Sequence, residues 1–311
     1  MNSLNRSGRV LAVSLGLALA APTNAIDQAW AATPEQGFKR PQTLMATPPV
    51  NPNIAGGGTL PQGLLYTALN PTFSDKDRSE DGYIGSDTFS QAWLLKLRYG
   101  LTNRLELNSV LSYVNLERSK PTPSQKHLEG YGDQSLGLSY ALYNLHQKDP
   151  FALSFSLSAL LPTAPEGANH LPGNAAWGGR AAAAFGLFLT PEIKFDTEAI
   201  ISGPFERGNQ DVKRGEQYQW NSQFRYLFKT FDVALESSLT HNEAGDKSSP
   251  AGDIDLKNGY TEWFVGPSMN FTIDRYDLWF GIGVFFPVLQ NVDSPSMVED
   301  YQLAFKIGKL W

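Results

Sequence analysis

The sequence predicts an all-β protein: a closed antiparallel transmembrane β-barrel of about 12 strands, with short periplasmic turns and long extracellular loops. Three observations predict it. From about Leu60 onward, apolar and polar residues alternate, and a period of two sets one face of a strand against the other. The connections alternate strictly between short and long, which a soluble sandwich has no reason to do. Aromatic residues mark both ends of the apolar faces, as two interfacial belts require.

The first strand, Gly63 to Asn70, alternates little. The second is the cleanest, with Phe89, Trp93, Leu95, Leu97 and Tyr99 opposite Ser90, Lys96 and Arg98. The third sets Leu105, Leu107, Leu111 and Tyr113 against Arg104, Glu106 and Asn108. In the fourth and fifth, Leu136, Leu138, Tyr140, Phe151, Phe155 and Leu157 oppose Ser135, Ser139, Ser154, Ser156 and Ser158. The sixth opposes Trp177, Phe185 and Leu187 to Gly178 and Arg180, and the seventh opposes Phe195 and Ile201 to Lys194, Asp196 and Glu198. The eighth and ninth put Gln219, Asn221, Gln223, Arg225, Asp232, Glu236 and Ser238 behind Trp220, Phe224, Val233 and Leu235. The last three oppose Trp263, Phe271, Phe280, Ile282, Phe305 and Ile307 to Glu262, Asn270, Asp277, Gly281, Gly283 and Lys306. Short turns fall near 101–103, 144–149, 190–192, 229–231 and 274–275. Long loops fall near 71–87, 117–131, 164–175, 203–216, 242–258 and 289–299. Lipid requires closure, because an open edge leaves unpaired backbone groups in hydrocarbon.

Ahead of the barrel (60–311) the chain has another character. Arg6 and Arg9 precede an apolar run from Val10 to Ala21, too short to cross a bilayer, which takes about 20 helical residues. Residues 1–31 read as a signal peptide, with cleavage after Ala25 or Ala31. Residues 32–59 are rich in Pro, Gly and Thr and read as a flexible leader or a plug.

Composition excludes other classes. The net charge of −6 argues against nucleic acid as a partner. Aromatic content of 12% with 18% charged residues argues against disorder. With no Cys there are no disulfides, thiolate metal sites or thiol nucleophiles.

Several segments resemble a bacterial family named for a meta-pathway of phenol degradation. They are Arg98-Tyr99-Gly100-Leu101-Thr102-Asn103-Arg104-Leu105-Glu106-Leu107, Gly130-Tyr131-Gly132-Asp133-Gln134-Ser135-Leu136-Gly137-Leu138, Leu160-Leu161-Pro162-Thr163 and Phe285-Phe286-Pro287-Val288. The resemblance covers about residues 60–311. It implies a transporter-like outer-membrane barrel passing aromatic compounds, and it brings no catalytic residues.

Inward charge is expected to gather at the periplasmic end: Lys96, Arg98, Arg104, Glu106, Lys194, Asp196, Glu198, Arg225, Lys229, Asp232, Asp277 and Lys306. Its mixed signs fit a structural ion-pair layer or a selectivity gate. Nearer the outside, Arg180, Glu262, Phe264, Trp279 and Phe285 form either a pocket for a flat apolar solute or large–small packing.

Catalysis is not expected. His127, His146 and His170 fall in loops or a turn, and His241 has only Ser222 nearby, diagonally. The loop Asp75 to Gly82 misses the glycine position and twelfth ligand of a calcium loop. No cofactor is expected. The expected partners are outer-membrane lipid and lipopolysaccharide, the barrel-assembly machinery through the strand ending at Trp311, and a small solute. The expected function is diffusion of small, hydrophobic or aromatic solutes across the outer membrane, reached by export through the periplasm. The alternative is a non-conducting barrel with a structural or surface role.

Overall fold

The computed structural model describes residues 58–76, 88–118, 127–164, 175–208, 211–248, 253–256, 258–292 and 298–311. The expected signal peptide, nearly all of the leader, most of the calcium-like loop and His170 lie outside the described residues.

The barrel strands are β1 (Leu65–Lys76), β2 (Thr88–Gly100), β3 (Leu105–Arg118), β4 (His127–Tyr131), β5 (Gln134–Tyr143), β6 (Phe151–Leu161), β7 (Gly178–Phe188) and β8 (Ile193–Pro204). After the two-residue β9 (Val212–Lys213) come β10 (Gln217–Leu227) and β11 (Phe231–Asn242). The two-residue β12 (Asp246–Lys247) and β13 (Ile254–Asp255) precede β14 (Tyr260–Ile273), β15 (Leu278–Val292) and β16 (Tyr301–Leu310). β4 and β5 both pair with β3 and form one stave interrupted at Gly132 and Asp133. Each stave pairs antiparallel with its neighbours, and β1 pairs with both β2 and β16. The result is the closed barrel of 12 strands expected from the alternation. β9, β12 and β13 form a separate three-stranded sheet in the long loops, tied by Arg207 to Asp246 and Asp253.

Five short turns and both strand termini lie at one end, called here the turn end; the long connections lie at the loop end. The apolar faces point outward. Leu157, Leu235 and Phe224 are exposed there, as are Tyr99, Phe228 and Trp311 at the turn end and Phe89, Trp177 and Tyr301 at the loop end. Neighbouring rings meet across strands, as with Phe195 and Phe224 at 4.7 Å; such pairs add to sheet stability. An apolar outer band flanked by aromatic belts is what a lipid solvent demands.

The first strand differs from expectation. It runs from Leu65 to Lys76, through residues read as a loop. Its weak alternation has a physical cause: it points Tyr66 inward and Thr67 outward, against the usual polarity. Pro71 has no N–H to donate, and the ladder with β16 skips Asn70 and Pro71.

Candidate functional site

The barrel interior is filled unevenly. One sector, from β8 to β16, is packed with charged and aromatic side chains. Here Lys194 pairs with Asp196 at 2.9 Å, and Asp196 also accepts from the Gln223 amide at 2.7 Å. The Arg225 guanidinium donates to Gln223 at 3.1 Å and lies 3.6 Å from Asp232. Asp232 accepts from Asn270 at 2.8 Å, while Ser268 donates to Glu236. Lys306 is buried beside Gly281, which pairs with Asn270 on its other side. The sequence supplies this layer because most inward positions over these rungs are polar, with Ala234 and Gly281 between them, and a buried charge needs a partner within reach.

Above and beside the layer sits an aromatic block. Trp279 is 0% exposed and stacks on Tyr66 with ring centroids 5.2 Å apart. It occupies the space a side chain at Gly308 would take, since a Cβ there would lie 2.5 Å from the indole nitrogen. Phe285 likewise fills the space beside Gly283 and packs with Phe264 and Ala304. The three aromatics of the expected pocket, Phe264, Trp279 and Phe285, are at most 4% exposed and pack large against small. Glu262 is half-buried near the loop end of β14, outside this block.

The opposite sector, β2 to β8, carries small inward residues and leaves a cavity of about 310 Å³. Its wall includes Ser135, Ser139, Ser154 and Ser158, and Arg180 projects into it; Lys96, Arg98, Glu106 and Glu198 border it toward the turn end. The sequence reading placed these serines inward but gave them no role.

A third element, a strap, crosses the turn end. Residues Gly58 to Leu64 run across the mouth. The Arg98 guanidinium grips Glu106 through two bonds of 2.6 and 2.8 Å and donates to the Gly58 carbonyl at 3.1 Å. Glu106 accepts from the Leu60 N–H at 2.8 Å. The Asn144 amide donates to the Thr59 carbonyl and hydroxyl and to the Asn103 carbonyl. Leu60 is buried in a cluster with Tyr66, Ala68, Trp279 and Leu310. The segment passes so close to the wall that a Cβ at Gly100 would lie 2.0 Å from the Pro61 carbonyl oxygen.

Three expected lumen charges lie elsewhere. Arg104 sits on its turn, 44% exposed, donating to the Leu142 carbonyl at 2.8 Å and pairing with Asp149 at 3.5 Å. Asp277 is exposed in the turn before β15, at φ 50°. Lys229 is exposed in the turn before β11. In each case the strand has ended, so inward parity no longer applies. Conversely, Glu236 and Gln223 belong to the ion-pair layer and Asn144 to the strap. The first two were legible as inward positions. Nothing in the sequence announces that Asn144 meets Thr59.

Of the histidines, His127 begins β4 and its side chain lies outside the described residues. His241 stacks near Tyr218 on the outer face and shares a 2.8 Å hydrogen bond with Thr261. The register sets Ser222 opposite Ser237, far up the strand from His241, so these two form no nucleophile–base pair.

The pattern of strands, turns and loops has known counterparts. A family model described as "Putative MetA-pathway of phenol degradation" matches residues 51–288. The chain belongs to this family. Among solved structures, the COG4313 outer membrane channel from Pseudomonas putida F1 aligns with this member of the phenol-degradation family at a TM-score of 0.66 and 15% identity, covering 82% of this chain and 97% of that chain. At that identity the likeness is one of fold. The NanC porin aligns at a TM-score of 0.45 and 12% identity, covering 78% of this chain and 98% of its own. The TodX monoaromatic hydrocarbon channel aligns at 0.44 and 13%, covering 81% and 90%. No curated protein sequence matches the chain.

Proposed function

We propose that this protein is an outer-membrane channel through which small solutes cross by diffusion. One observation carries the reading: a closed barrel with an apolar exterior encloses an open, partly polar cavity of about 310 Å³. A purely structural barrel of this girth fills its interior with side chains; here the small inward residues of β5, β6 and β7 leave one sector empty. The turn end faces the periplasm and the loop end faces outward, the usual disposition of short and long connections. The charged layer acts as a rigid floor, and the strap of Gly58 to Leu64 narrows the periplasmic mouth. Aromatic compounds are the solute class suggested by the family's name.

The test is single-channel recording of the mature protein in planar bilayers, with folding checked by circular dichroism. Discrete current steps are expected. A folded barrel that stays silent, and that also fails to pass small neutral solutes into liposomes, would sink the reading and leave the non-conducting barrel.

A further inference from the structure

We infer that the cavity holds a binding site for a small hydroxylated carboxylate, anchored by Arg180; this rests on the channel reading and names the solute class. Arg180 lies on β7 with Ser158 of β6 and Ser202 of β8 directly across. Among the described residues it forms no ion pair. The carboxylate nearest along the neighbouring strand, Glu198, faces Ala184, four residues toward the turn end, or roughly 13 Å at strand rise. A cation left this way in a half-enclosed space favours an anion, and a guanidinium binds carboxylate in two-pronged fashion.

The remaining charges strengthen the argument. Lys96, Arg98 and Arg180 face the cavity together with Glu106, Asp133 and Glu198. Arg98 is spent on Glu106, and Lys96 lies within electrostatic reach of both Arg180 and Glu198. Asp133, at the loop-end rim, accepts from the Ala164 and Ala175 N–H groups and faces Arg214. With Arg98 bound to Glu106 and Asp133 bound to backbone N–H groups, Arg180 is the lining guanidinium that makes no ion pair among the described residues.

The walls define the rest of the ligand. Asn108, Gly137, Ser158 and Arg180 share one rung across four strands. Asn108 donates to Ser139 at 2.9 Å past Gly137, where any Cβ would lie 2.0 Å from the Ser158 hydroxyl. This builds a hydroxyl ledge beside the guanidinium. Leu94, Val110 and Leu160 supply apolar wall around the same space. An anionic head, a hydroxyl and a small apolar body match these three surfaces, and the volume falls in the range of small-molecule sites, about 300–1,000 Å³.

The probe is 4-hydroxybenzoate, with neutral phenol as its control, titrated calorimetrically into the folded barrel in detergent. The barrel is expected to bind the carboxylate at least about tenfold more tightly than phenol, a difference of about 1.4 kcal/mol. Arg180→Gln should abolish that preference, and Arg180→Lys should keep part of it. Equal or absent binding of both probes, or a preference that survives Arg180→Gln, overturns the site. Conductance is recorded separately on the same preparations: current without carboxylate binding defeats the site alone, and binding without current defeats the channel alone.

Discussion

At the residue scale, Asp196 illustrates how the interior charges depend on one another. It has 0% exposure, and Lys194 and Gln223 are among its partners. Removing one member of a buried pair costs about 3–5 kcal/mol, because the other charge is left without compensation. Asp196→Ala is therefore expected to lower barrel stability by about that amount, read as a drop in the urea midpoint of folding into lipid vesicles. Replacing both Asp196 and Lys194 by apolar residues of similar size should cost much less. The single and double variants thus separate the value of the pair from the penalty of an orphan.

At the element scale, the turn between β5 and β6 carries a group with a defined acid response. His146 lies in the 3-10 turn Leu145–Gln147, capped by Asn144. Burial, with Lys194 and Arg98 nearby, pulls its imidazole down from 6.5 to about 4. Between those values the unfolded chain binds a proton that the folded one refuses, so stability rises with pH. The barrel should lose stability as pH falls from about 6.5 toward about 4, and His146→Gln should flatten that part of the pH profile of the unfolding midpoint. The elements themselves were largely legible in the chain, because period two and loop length both follow from a lipid exterior. What was hidden depended on register. Trp279 packs into Gly308, its partner on the adjacent strand, a pairing no single strand displays. Asp277 and Arg104 have the inward parity of the strands they adjoin, yet they sit in turns. The two-residue strands β9, β12 and β13 are too short to leave any period.

At the scale of the whole molecule, the interior is divided between a packed sector, an open sector and a strap across one mouth. The strap hangs on Glu106 and Asn144, which hold Leu60 and Thr59. Glu106→Gln combined with Asn144→Ala should loosen it and raise single-channel conductance. Unchanged conductance in the double variant would assign the strap to stability alone. The seam of the barrel has a consequence for assembly. Trp311 donates from its indole to Thr67, a contact spanning 244 residues, and β1 meets β16 along nearly its whole length. Contacts between such distant parts of a chain form slowly, since loop-closure entropy must be overcome before they give any return. Every other stave can find its partner by a local hairpin. Ring closure is therefore the slow event, and until it occurs two strand edges stand open, so the time during which this chain is vulnerable to aggregation is set by how fast its first strand meets its last.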